Sequence, residues 1–190
     1  MKNKKISLYV LFVVLAFMVG CARTPVLRDG QPIPGALVKA AGEGRYSAVL
    51  RLLDAGASSN EANKDGYTAL MEAAFWCYDR VVRLLVDRGA DVNRAVPFYG
   101  YTVLMIAARE GCTDTVKLLL EKGARIDQES MGGGTALADA LSNGEAGTAR
   151  FLLDKGANAE KAAASLRRSA SWNKASKNGL ALLEKLMREK

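Results

Sequence analysis

The chain of 190 residues contains no histidine. That absence removes the commonest general base, every Ser-His or Cys-His nucleophilic pair and most zinc sites. Aromatic residues are few, 7% of the chain, as expected where leucine and alanine fill a repetitive helical core. The longest apolar run, Ile6 to Val19, has 14 residues interrupted by Ser7, short of the roughly 20 that span a bilayer as a helix. Cysteine is limited to Cys21, Cys77 and Cys112. The net charge of +7 is not gathered into a basic stripe interleaved with aromatics, so it does not point to nucleic acid. One glycine-rich loop, Met131-Gly132-Gly133-Gly134-Thr135, lacks the lysine of a phosphate-binding loop and does not follow a strand. Its plainer role is a turn before Thr135.

What is present is a repeat. The stretch GYTVLMIAAREGCTDTVKLLLEKGARID, from Gly100 to Asp127, has close copies beginning at Gly66 and Gly133 and a fainter one from Ala36 to Asn60. Gly-Ala pairs at Gly56, Gly89, Gly123 and Gly156 set periods of 33, 34 and 33 residues. A period of that size carrying two short apolar helices marks a solenoid. Thr68, Thr102 and Thr135 stand where a hydroxyl caps the first exposed N–H groups of a helix. Leu70, Ala73 and Ala74, and likewise Leu104, Ala107 and Ala108, recur on one face, small enough to let a neighbouring helix approach. Gly44, Gly111 and Gly144 supply the turn. The second helix follows with Val82, Leu85 and Val86, with Val116, Leu119 and Leu120, then with Leu152 and Leu153. Gly89, Gly123 and Gly156 end it in the left-handed conformation glycine accepts at little cost. Glu72 and Asp139 fall at equivalent helix positions two repeats apart, too far for a catalytic carboxylate pair, and no enzyme activity is expected.

The motifs T-A-L-M-x-A-A, V-V-x-L-L and G-A-D-V-N, repeated in register over residues 35 to 160, resemble those of ankyrin-repeat proteins. The resemblance implies an all-α solenoid of about four helix-pair repeats closed by a degenerate C-terminal helical cap. The expected divisions are a capping repeat over 35–65, further repeats over 66–160 and the cap over 161–190. Where the family usually has histidine in the first helix, this chain has Val38, Met71, Met105 and Ala138, so the capping network around that histidine is missing.

The N-terminus reads as a targeting segment. Lys2, Lys4 and Lys5 precede the apolar run, the order of a secretory signal over residues 1–20. Met18-Val19-Gly20-Cys21 resembles the bacterial lipobox, which implies lipid on Cys21 as the mature N-terminus. An ordinary cleaved signal or an uncleaved anchor shares the basic and apolar parts of this pattern. Ala22 resembles the sorting pattern for the outer membrane, which implies an outer-membrane anchor facing the periplasm. Removal of the first 20 residues leaves 24 basic residues against 20 acidic ones, a balance of +4. Residues 21–34 carry Pro25, Pro32 and Pro34 without apolar periodicity and read as a tether. The thirteen residues after Cys21 reach at most about 45 Å.

At the other end, Lys161 to Ser171 and Leu180 to Arg188 keep helical spacing, with Leu166, Leu180, Leu183 and Met187 apolar, as a terminal cap does. Lys161, Arg167, Arg168, Lys174, Lys177, Lys185, Arg188 and Lys190 make this end basic, either a solvated face or a surface attracted to anionic headgroups. Cys77 and Cys112 invite a disulfide in an oxidising compartment. Register weighs against it: Cys77 replaces a turn glycine while Cys112 follows one, and stacked repeats lie roughly 10 Å apart where a bridge needs Cα atoms within about 7 Å.

A tethered stack without catalytic residues is expected to bind protein. In the family the exposed variable positions flank the finger-loop glycine and follow the Ala-Ala pair. Carried onto this chain they are Lys64, Asp65, Tyr67, Phe75 and Trp76, then Phe98, Tyr99, Tyr101, Arg109 and Glu110, and finally Met131, Ser142 and Asn143. Exposed aromatics crowd two adjacent repeats, as they do at interaction sites; the competing role is to stiffen the fingers. The expected partner is a periplasm-acting effector neutralised by an anchored immunity protein. The alternatives are an envelope enzyme that the stack protects or positions, and a structural envelope role. No cofactor, metal, nucleic acid or small-molecule substrate is expected.

Overall fold

A computed structural model of the chain describes residues 27–28, 31–170 and 173–189. The signal-like run, Cys21 and most of the tether lie outside the described residues, as do Ser171 and Lys190. Short strands lie within the stretch read as a tether. Leu27–Arg28 (β1) and Gln31–Pro32 (β2) form an antiparallel pair with Leu27 opposite Pro32.

Among the described residues ten helices follow, paired as the repeat grammar requires: α1 (Ala36–Gly42) with α2 (Tyr46–Asp54), α3 (Ala69–Phe75) with α4 (Asp79–Asp87), α5 (Val103–Arg109) with α6 (Thr113–Glu121), and α7 (Ala136–Asn143) with α8 (Ala146–Asp154). The first members of the pairs stack on one another as an inner layer and the second members as an outer layer. Thr68, Thr102 and Thr135 accept hydrogen bonds from the backbone N–H of Met71, Met105 and Ala138 at 3.2–3.3 Å. The caps therefore survive the loss of the family's histidine. Leu52, Leu85, Leu119 and Leu152 are fully buried at equivalent points of the outer helices, each worth about 1.5–3 kcal/mol of burial.

Between repeats the chain ties itself through the residue that closes each G-A-x-x-N unit. The Asn60 side chain accepts from the Asp91 N–H at 2.8 Å and donates to the Gly89 carbonyl. Asn93 repeats both bonds with Arg125 and Gly123, and Asp127 accepts from the Asn158 N–H at 2.8 Å.

The cap consists of α9 (Ala159–Ala170) and α10 (Lys174–Arg188), longer than the sequence spacing implies. Leu166, Leu183 and Leu186 are buried, whereas Met187 faces solvent, so the apolar face of α10 runs one residue away from the one read in the sequence. Gly179 is required by close approach: a Cβ there would stand 3.1 Å from the backbone of Leu141 on α7.

The two cysteines correct the register argument. Cys77 and Cys112 form a disulfide with Cα atoms 5.3 Å apart. The 10 Å spacing holds between helix axes, not between turns. Because Cys112 sits one residue past the position equivalent to Cys77, the bond runs diagonally from one turn to the start of the next outer helix. Cys77 keeps the positive φ of the glycine it replaces, 54°, and Cys112 is the buried residue preceding α6.

Candidate functional site

The loops that precede α3, α5 and α7 project as three fingers beside the inner layer. In the first, the Asn63 side-chain oxygen accepts from the N–H groups of Asp65 and Tyr67, an Asx-type turn that fixes the tip. In the second, buried Val96 takes the same place and its N–H donates to the Tyr101 carbonyl at 2.8 Å. The extra residue of this finger is absorbed at the tip, where Phe98 adopts a φ of 66°. In the third, the Ser130 hydroxyl accepts from the Gly134 N–H. The fingers lean on one another: a side chain at Gly66 would strike Pro97, and one at Gly100 would strike the backbone of Met131.

Between the first two fingers and the C-terminal ends of α3 and α5 lies a groove of about 380 Å³. Asp65, Tyr67, Phe75, Trp76, Tyr101, Arg109 and Glu110, seven of the thirteen positions read as a binding face, line it. Trp76 is 55% exposed and Phe75 43%. Their rings meet edge to face with centroids 5.1 Å apart. The two tyrosines are half-buried against the core, and Met71 and Met105 form an apolar floor.

The other six positions stand apart. Phe98, Tyr99 and Met131 are exposed at the tips of the second and third fingers, and the Met131 N–H donates to the Tyr99 carbonyl at 2.9 Å. Lys64 and Asn143 are exposed and Ser142 is half-buried, none of them in the groove lining.

Sequence reasoning passed over Glu72, Asn63 and Ile106, which also line the groove. Glu72 was weighed as half of a catalytic pair and not as a wall residue. Its spacing of three from Phe75 on one short helix is the signal that puts both on one face.

The site is acidic. Asp65, Glu72 and Glu110 line it against one cation, Arg109, whose nearest contact with Glu110 is a loose 3.9 Å. Burial pushes the Glu72 carboxyl above its ordinary value. Asp139, one repeat beyond Ile106 on α7, is pushed up to about 7 by burial, against the opposing pull of the Arg109 charge. Its Oδ2 is buried without a hydrogen-bond partner among the described residues. Tyr101 is held above its usual range by burial and then by the Asp139 charge.

Residues 27–96 and 94–163 match the family model for ankyrin repeats in three copies. The chain belongs to the ankyrin-repeat family. Curated relatives include an ankyrin repeat-containing protein of Schizosaccharomyces pombe, 39% identical over 54 residues, covering 28% of this chain and 26% of that protein. The ankyrin repeat and KH domain-containing protein mask of Drosophila melanogaster is 48% identical over 60 residues, 32% of this chain and 2% of its own length. The ankyrin repeat and MYND domain-containing protein 1 of Homo sapiens is 42% identical over 59 residues, 30% of this chain and 6% of its own. The chain thus spans about a quarter of the first relative's length and a few per cent of the other two. Ankyrin repeats are protein-interaction modules, generally without a catalytic role. Among the described residues of this ankyrin stack, no helix is long and apolar enough to cross a membrane.

Proposed function

We propose that this ankyrin stack is a protein-binding module of a bacterial envelope, anchored in the outer membrane by lipid on Cys21 and facing the periplasm. Its partner seats on the finger and inner-helix face, with Tyr67, Phe75, Trp76, Tyr101, Arg109 and Glu110 in the groove and Phe98, Tyr99 and Met131 gripping from the finger tips. The observation that carries the binding face is the groove itself, where six residues from two fingers and two helices converge with half-exposed aromatic rings. Concave sites lined by aromatics and a few polar groups are where binding energy concentrates. The Cys77–Cys112 bond supports an oxidising compartment, in keeping with the signal-like N-terminus.

Within that setting the partner is a toxic effector delivered to the periplasm, and the chain is its immunity protein. A periplasm-directed effector encoded beside the gene is expected to kill cells lacking the chain and spare cells expressing it; equal killing refutes immunity. Protection or positioning of an envelope enzyme is then the next role to test, by pull-down of one stoichiometric soluble partner. Retention on wall or membrane without the anchor identifies a structural component instead. For the anchor, labelled palmitate is expected in the wild type and not in Cys21→Ser. Equal labelling of the two refutes lipidation.

A further inference from the structure

We infer that the groove between the first two fingers receives a cationic side chain, lysine or arginine, from a basic segment of the protein partner. The inference rests on the protein-binding reading and names the chemistry of the occupant.

Charge complementarity is the first argument. The chain as a whole is basic at +7, yet the groove lining carries Asp65, Glu72 and Glu110 against Arg109 alone, a local excess of two negative charges. Two of these carboxylates, Asp65 and Glu72, make no hydrogen bond or ion pair through their side chains with any described residue. Elsewhere in the protein several acids are paired: Asp54 with Arg88, Asp87 with Lys122, Asp114 with Lys117 and Glu129 with Lys161. Glu72 is the more telling of the two, because it sits half-buried on the groove wall where an unpaired carboxylate is costly. A cation arriving from outside supplies the missing partner.

The second argument is the kind of wall around those carboxylates. The faces of aromatic rings attract a cation through their negative quadrupole, most strongly where the site is partly dry. Tyr67, Phe75, Trp76 and Tyr101 bracket the groove, with Met71 and Met105 beneath. A purely apolar side chain uses the rings but not the carboxylates, and an acidic one is repelled by both. A lysine or arginine uses both, its methylene stem on the apolar floor and its charged head among the carboxylates. At about 380 Å³ the groove is near the lower end of ligand-sized sites, roughly 300–1,000 Å³, which suits an inserted side chain with its flanking backbone.

The test is selection of peptides from a random dodecapeptide display library on the full chain in non-ionic detergent with its disulfide intact. Selected peptides are expected to share a lysine or arginine. Binding of the best synthetic peptide should fall about tenfold or more in Glu72→Gln and weaken as salt is raised. Thermal melts control for folding, and the exposed substitution Asp65→Asn, which leaves the core untouched, is expected to show the same direction. Enriched peptides without a basic residue, or basic peptides that bind Glu72→Gln and Asp65→Asn as tightly as the wild type, overturn the inference. If such peptides still lose affinity in Trp76→Ala, the groove remains a protein-binding site and only the charge argument fails. If no peptide is enriched, the inference also fails, and the native-partner pull-down judges the protein-binding reading by itself.

Discussion

Asp139 offers a direct check on the electrostatics of the inner layer. Its carboxyl is pushed from an ordinary 3.8 up to about 7 because it lies mostly buried on α7, with one oxygen unpartnered among the described residues and the Arg109 charge offsetting part of the cost. The sign follows from proton counting. Between about pH 4 and pH 7 the folded chain keeps a proton that the unfolded chain releases, so stability falls as pH rises through that window. Below both values the carboxyl is neutral in either state and the penalty is absent; above pH 7 it is complete. Each tenfold change in proton affinity is worth about 1.4 kcal/mol, so the full span corresponds to roughly 4 kcal/mol, and 2–4 kcal/mol is the order to expect for a group short of complete burial. The experiment is urea unfolding of the wild type and Asp139→Asn at intervals from pH 5 to pH 8. The constant offset between the two proteins carries little information, since an asparagine amide also has to be satisfied. The informative quantity is the change in that offset with pH. The variant is expected to gain on the wild type by a few kcal/mol as pH rises; a flat difference refutes the burial argument. Asp114 and Glu129, held low by Lys117 and Lys161, act in the opposite direction at lower pH and cancel in the difference.

Three further outcomes are expected. Leu119→Ala, at a fully buried site, costs about 2–5 kcal/mol in denaturant unfolding through lost transfer energy and the cavity left behind; a loss below about 1 kcal/mol contradicts its core position. Cys77→Ala, or reduction of the wild type, removes a link closing a separation of 35 residues and lowers stability by about 3–4 kcal/mol on a chain-entropy reckoning, measured against the oxidised protein. Trp76→Ala weakens partner binding in titration calorimetry by about 2 kcal/mol or more with little change in the thermal midpoint. A large fall in the midpoint with unchanged affinity returns Trp76 to a stiffening role.

The repeat was legible because its physics is local and repeated. Thr68, Thr102 and Thr135 cap helices by bonding a backbone N–H three residues on, and Gly89, Gly123 and Gly156 take positive φ values of 85–90°. Both are decided within one turn of chain. The disulfide was misread because its geometry is not local. The spacing of stacked helices does not set the distance between turns, and Cys77 and Cys112 bond across a Cα separation of 5.3 Å despite their one-residue offset. Glu72 was hidden for a related reason. Its spacing of three from Phe75 puts both on one face of α3, but that the fingers close this face into a groove is a tertiary fact no period in the sequence reports. The β1–β2 pair rests on two-residue strands, too short for any alternation to reveal.

The places where the repeat departs from its own rules are gathered at one junction. The exposed or half-buried pair at the end of each inner helix reads Gly42-Glu43, Arg109-Glu110 and Ser142-Asn143, but Phe75-Trp76 at the end of α3. Nothing in stacking requires two large rings where the other copies place small or polar residues. The next position breaks the rule again, since Cys77 holds at φ 54° a place that Gly44, Gly111 and Gly144 fill with no steric cost. A non-glycine residue there costs about 1 kcal/mol, offset by the bond to Cys112. That bond begins one residue after Trp76 and ends two residues after Glu110, so it ties together the helix ends that form the two sides of the groove. The following finger carries the extra residue and the second strained position, Phe98. Local rules broken together, with a covalent link between them, are what is expected where a functional site and not stacking alone sets the sequence. The groove lies there.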